Sequence, residues 1–167
     1  MHKRFVQILA TLAVFAAGGL GASPAKLVDT PAPDFALRSV AGQNLRLSEF
    51  RSEVVILNFS SKWCGKCDAA MSVLESLQQR YGSGSVNVIS VAVEGKPEKA
   101  AATIAELGLT YPLLLDTQQR VSKDYDLSRL PATLVIDREG TVRFIYQGSD
   151  ATRADLLAAG VTALLDE

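Results

Sequence analysis

The chain has 167 residues, with 17 basic and 18 acidic side chains and a formal net charge of −1. That balance excludes the basic surface of a nucleic-acid binder or of a protein held on anionic membranes. Two cysteines, Cys64 and Cys67, and one histidine, His2, are too few for the four ligands of a structural zinc site.

The first four residues, Met1-His2-Lys3-Arg4, form a short basic region. An apolar run follows from Phe5 to Leu20, and small residues occupy 21–25. This is the order of a secretory signal peptide, with Ser23-Pro24-Ala25 placing small residues where a signal peptidase reads and cleavage expected before Lys26. The alternative is an uncleaved N-terminal membrane anchor, although the apolar run falls short of the ~20 residues of a spanning helix. No cysteine lies near residue 20, which argues against a lipid-anchored form. Either way the folded part faces an exported compartment. Residues 26–32, ending near Pro31 and Pro33, read as a linker. Residues 33–167 have the length of one domain, enough for a self-sufficient core.

Within that domain, Phe35-Ala36-Leu37 and Leu45-Arg46-Leu47 read as two short strands joined in a hairpin through Ala41-Gly42. Ser48 starts a helical turn over Glu49-Phe50. Val54 to Phe59 is a continuous apolar run with the pattern of a strand buried on both faces. A helix follows over 66–81, with Met71, Leu74, Leu77 and Tyr81 at helical spacing and Gly82-Ser83-Gly84 as its stop. Val86 to Val93 is a second buried strand. Pro97 opens a helix through Leu107, which Gly108 closes. Leu113-Leu114-Leu115 is a short strand, and Asp116 or Thr117 caps a helix to Tyr125. Thr133 to Ile136 and Val142 to Tyr146 form a hairpin through Asp137-Arg138-Glu139-Gly140. Thr152 is expected to cap a last helix carrying Leu156, Leu157, Val161, Leu164 and Leu165. Strands alternating with helices predict an α/β fold whose mixed central sheet is flanked by helices.

The chemistry concentrates at Trp63-Cys64-Gly65-Lys66-Cys67. A bond between cysteines three apart closes a tiny loop and removes little entropy from the unfolded chain, so stability alone does not explain the pair. At the junction of a strand and a helix, orphan N–H groups and the positive helix end favour a thiolate, and Lys66 adds a positive charge. These features make Cys64 the attacking thiol. Cys67, one turn further in, is the buried resolving thiol. Trp63 either flanks the sulfur or packs as a core aromatic. A linear copper(I) site on the two thiolates is a second reading. A second motif, Leu130-Pro131-Ala132-Thr133, places a proline at the start of a strand, where its missing N–H is tolerated; spacing alone does not decide its isomer.

Trp-Cys-x-x-Cys after a buried strand, Pro-x-Thr before a later strand, and the turn 137–140 together resemble the thioredoxin superfamily. Pro33-Asp34-Phe35-Ala36-Leu37, with Gly42, Leu47 and Phe50, is similar to its exported thiol–disulfide reductases, typified by TlpA and ResA. The resemblance implies a thioredoxin-like fold with an N-terminal β-hairpin and a strand–helix insertion over about 86–115. It also implies a redox-active Cys64–Cys67 disulfide with Cys64 nucleophilic, and a cis Pro131 beside it. The backbone of Leu130 would meet the substrate. Asn58 stands where cytoplasmic thioredoxins carry a buried Asp. Two positions depart from the family: Lys66 replaces a frequent Pro, and Ala70 replaces a frequent Glu. The expected function is a periplasmic reductase of protein disulfides that needs no cofactor and works as a monomer. It would be recharged by a membrane thiol donor. A copper(I) or thiol-protein chaperone is an alternative. So is a thiol peroxidase, against which stand Ser61 in place of a Thr three before Cys64 and the lack of a Pro between Asn58 and Cys64.

Overall fold

The computed structural model describes residues 26–82 and 84–167. The segment 1–25, expected to be a signal peptide or anchor, lies outside the described residues. Among those described, no helix is long and apolar enough to cross a membrane.

The run 54–59 becomes strand β3, Val54–Ser60, which is buried along its whole length. To label the strands in chain order, β1 is Ala36–Arg38, β2 is Asn44–Arg46, β4 is Val86–Val93, β5 is Leu113–Asp116, β6 is Ala132–Ile136 and β7 is Val142–Gln147. Strands β1 and β2 form the expected hairpin. The others form one sheet in the order β5-β4-β3-β6-β7. β3 runs parallel to β4 and antiparallel to β6. Its apolar continuity is what a strand covered on both faces requires.

Helix α1 spans Cys67–Tyr81, α2 Pro97–Leu107, α3 Arg120–Asp124 and α4 Ala154–Leu165. Alternation along β3 sends Val54 and Ile56 toward α1 and α4, into a cluster with Met71, Leu74, Leu77, Leu157 and Val161. The intervening Val55, Leu57 and Phe59 meet Val121, Tyr125, Phe35 and Leu27 on the other face. Glu75 of α1, although buried, is fully occupied. It accepts the Thr110 N–H and hydroxyl, both at 2.8 Å, and the Gln79 amide at 3.0 Å. That holds α1 to the turn entering β5.

Boundaries differ from expectation where side chains take over from propensity. The hairpin strands lie at 36–38 and 44–46 because Leu37 pairs with Leu45. Leu47 then turns into a 3-10 segment to Phe50. α1 begins at Cys67 rather than at 66, with Lys66 as its N-terminal flanking residue. Gln119 adopts φ 54°, so α3 starts at Arg120 and ends at Asp124. The Asp116 carboxylate nevertheless accepts the N–H groups of Arg120, Val121 and Ser122. Thr152 does not cap α4. It belongs to a 3-10 turn, Asp150–Thr152, and donates its hydroxyl to the Ser149 carbonyl.

The segment 26–32, read as a linker, lies against β7. Leu27 is 6% exposed. Asp29 N–H donates to the Val142 carbonyl at 2.7 Å, and Val142 N–H donates to the Thr30 carbonyl at 2.9 Å.

Candidate active site at Cys64 and Cys67

β3 ends at Ser60, and residues 61–66 connect it to α1. This loop is drawn tight by its own backbone: Cys64 N–H reaches the Ser61 carbonyl at 3.2 Å, and Cys67 N–H reaches the Cys64 carbonyl at 3.1 Å. A disulfide joins Cys64 and Cys67, whose Cα atoms are 5.4 Å apart. The two sulfurs occupy different surroundings. Cys64 is half-buried, whereas Cys67 is 0% exposed, and its Sγ accepts the Ser61 N–H at 3.4 Å.

Trp63 is 75% exposed, so it is not a core aromatic and does not shield the pair by burial. Lys62 Nζ stands 4.0 Å from its ring centroid, a cation–π contact. Lys66 is exposed, at the positive end of α1.

Leu130 and Pro131 come to the same end of the sheet as the loop. Phe59 pairs with Ala132 in the β3–β6 register, which brings Pro131 abreast of Ser60. The Leu130–Pro131 peptide is cis. Leu130 is half-buried and packs against the apolar clusters on both faces of the sheet. The Pro131 carbonyl accepts the Gly148 N–H at 2.8 Å, which pins the turn to the end of β7.

Beneath the loop runs a polar row that residue patterns did not reveal. Ser90, Asn58 and Thr133 are neighbours across β4, β3 and β6, and all three are fully buried. Asn58 Nδ2 donates to the Ala132 carbonyl at 3.2 Å and to Thr133 Oγ1 at 3.0 Å. Its Oδ1 accepts the Ser90 hydroxyl at 2.8 Å. A neutral amide matches these partners because it offers donor and acceptor at once. Asn58 was singled out in the sequence, but its partners come from strands 32 and 75 residues away.

An AhpC/TSA family model matches residues 28–145. The thiol-disulfide oxidoreductase ResA of Geobacillus kaustophilus is 36% identical over 130 residues, covering 77% of this chain and 74% of its own length.

The chain belongs to the AhpC/TSA family and, within it, to the ResA-type thiol-disulfide oxidoreductases.

ResA of Bacillus subtilis is 30% identical over 118 residues, covering 71% of this chain and 66% of its own length. Among solved structures, one assigned as the thiol:disulfide interchange protein DsbE of Chlorobium tepidum matches with TM-score 0.75 and 27% identity. It covers 81% of this chain and 95% of its own. A thioredoxin-family interchange protein of the same organism, at 22% identity and TM-score 0.71, shares the fold. The fold is thus thioredoxin-like, with β1–β2 as the N-terminal hairpin and β4–α2–β5 as the inserted segment, and the chain is a thiol-disulfide oxidoreductase. Such an enzyme exchanges electrons with disulfide-bearing substrates and redox partners.

Proposed function

We propose that this ResA-type chain is an exported reductase of protein disulfides, working as a monomer in the periplasm. The observation that carries the site assignment is the asymmetry of the pair, with Cys64 reachable from solvent and Cys67 sealed at the start of α1. In the reduced state the Cys64 thiolate attacks one sulfur of a partner's disulfide. That S–S bond breaks, and the departing partner sulfur takes a proton from solvent. The Cys67 thiolate then attacks the Cys64 sulfur of the mixed disulfide and releases the second partner thiol. Two electrons pass to the partner, and the Cys64–Cys67 disulfide remains. A membrane thiol donor returns the two electrons.

The α1 N-terminus and the exposed Lys66 ammonium favour the Cys64 thiolate. Trp63 and Leu130 flank the sulfur as contact surfaces for the partner. The backbone at Leu130-Pro131 supports addition of a peptide strand, because main-chain pairing gives affinity without demanding one sequence. Export rests on the basic, apolar and small-residue order of residues 1–25.

Insulin reduction by the purified protein tests this. Cys64→Ser is expected to abolish turnover, and Cys67→Ser to accumulate mixed disulfides through Cys64. Full activity in the double Cys→Ser variant sinks the assignment. The direction of electron flow is read from the reduction potential: a value near the thioredoxin end, about −270 mV, supports a reductase, and one near about −120 mV makes it an oxidant.

A further inference from the structure

A cavity of about 50 Å³ opens beside the disulfide, between α1, α2 and the ends of β3 and β4. Ser61, whose N–H meets Cys67 Sγ, lines it. Met71, Ala100 and Leu113 give it apolar walls, Thr103 adds a hydroxyl already donated to the Lys99 carbonyl, and one further hydroxyl is buried. That hydroxyl is Ser60 Oγ, on a residue 1% exposed. Among the described residues it is the one buried side-chain polar atom without a partner. Buried hydroxyls are ordinarily hydrogen-bonded, so one left over in a cavity wall marks a place for a ligand acceptor.

The rim is cationic. Lys62, Lys96 and Lys99 line it together with one acidic residue, Asp68. Among the described residues none of the three lysines is paired with a carboxylate. Lys62 and Lys99 crowd one another: the contact with Lys99, then desolvation and the charges of Lys99 and Lys96, hold the Lys62 ammonium below its ordinary value, against a small opposing effect of Glu94. An anion between them relieves that repulsion. The volume decides the size of the ligand. Cofactor and drug-like sites run to roughly 300–1,000 Å³, so this cavity takes a single small anionic head.

We propose that this cavity binds a carboxylate side chain of the polypeptide substrate, so that the enzyme prefers disulfides with an acidic residue beside the reacting cysteine. The carboxylate accepts the Ser60 hydroxyl and is neutralised by Lys96 and Lys99, while the adjoining cysteine reaches Cys64. This rests on the reductase reading above and names the class of polypeptide it takes.

The test uses two disulfide-linked peptides that differ only in Glu or Gln next to the reacting cysteine. The wild-type protein is expected to favour the Glu peptide by about tenfold in kcat/KM at low salt, the scale of one hydrogen bond to a charged group. High salt should shrink that preference. In Lys96→Gln/Lys99→Gln the ratio falls to about twofold or less, as charge complementarity is lost. Ser60→Ala also lowers the ratio, while its urea midpoint stays level or rises because an unpartnered hydroxyl is gone; a merely structural serine would not lower the ratio. Arg80→Gln, near the other end of α1, keeps the wild-type ratio.

Equal rates for the two peptides in the wild type, or a preference that survives the double lysine variant, overturn the proposal. An NMR titration of the oxidised protein with acetate, and separately with inorganic phosphate, gives a readout free of turnover. Acetate shifts at the Ser60, Ser61 and Lys99 amides that vanish in the double variant support the site; response to phosphate alone overturns it. Peptides left unreduced while acetate binds would sink the reductase reading and leave the cavity standing. Peptides reduced without preference and without acetate shifts would do the reverse.

Discussion

Asn58 takes both its hydrogen-bonding roles from different strands, giving to β6 and accepting from β4. An aspartate there would be acceptor-only when ionised, and it would face the Ala132 carbonyl. Asn58→Asp is therefore expected to cost about 2 kcal/mol near neutral pH, the scale of a buried polar group left without its partner. Burial raises the folded-state value of such a carboxyl above the unfolded one. The protonated form, which can donate, carries no such penalty, so the cost is small below the unfolded value of about 3.9 and grows as pH rises above it. Urea midpoints of the variant and the wild type between acid and neutral pH check this; a cost independent of pH would show that the introduced carboxyl ionises as readily in the core as in the unfolded chain. The position of Asn58 in a buried strand was legible from the apolar run around it. Its bonds were not, because a residue pattern carries no information on which distant strand lies alongside. Trp63 shows the complementary gap: its adjacency to Cys64 marked it, but only the fold decided that the ring projects into solvent.

At the scale of elements, the main strands and helices follow from local pattern, and their ends follow from side-chain partners. The N-terminal hairpin is an example. Asp34 receives the Arg46 guanidinium at 2.7 Å and the Ser48 N–H at 3.0 Å, which draws the segment before β1 onto the end of β2. Partial burial pushes its carboxyl up, but Arg46 and Ser48 outweigh that and leave it below the ordinary 3.8. A lowered folded value means stability that is present above the unfolded value and is lost as pH falls through the folded one. Asp34→Asn should therefore lose stability relative to wild type near neutral pH, with the difference closing in acid as pH falls through the lowered folded value and the wild-type carboxyl is protonated. Chemical denaturation at pH 6 and pH 2.5 reads this, and a gap that persists in acid would mean Asp34 acts by shape alone. The start of α4 escaped residue reading for the same reason as the hairpin register, whereas Asp116 caps α3 as expected. The cap of α3 is a carboxylate four residues before the helix, and Thr152 is engaged by its own preceding turn.

Across the whole molecule, the clearest departure from residue reading is at the beginning of the domain. The Pro-bounded segment 26–32 has the composition of a linker, yet Leu27 and Ala32 are buried and the backbone around Thr30 pairs with Val142. Tyr125 completes the fastening: its hydroxyl donates to the Pro33 carbonyl at 2.8 Å, and burial, with Asp34 and Asp124 nearby, holds its phenol well above the ordinary value. Deleting residues 26–32 from a chain that starts at Lys26 should cost about 2–4 kcal/mol, counting one buried leucine and a few backbone hydrogen bonds. Equilibrium unfolding in urea measures it, and an unchanged midpoint would show that the segment rides on the domain without supporting it.

Residue order alone determined the alternation of strands and helices, the burial of β3 on both faces, and the Cys64–Cys67 pair at the start of a helix. Each of these is a local matter: periodicity, a stop glycine, or a spacing of three residues. Tertiary structure decided which strands satisfy Asn58, that the Trp63 ring projects into solvent, and that the linker-like start is docked. It also decided that Lys62, Lys96, Lys99 and Ser60 share one cavity beside the disulfide. These residues lie on three separate elements, and only the parallel pairing of β3 with β4, followed by the return of the chain into α2, brings their charges and that one unpartnered hydroxyl to the same end of the sheet.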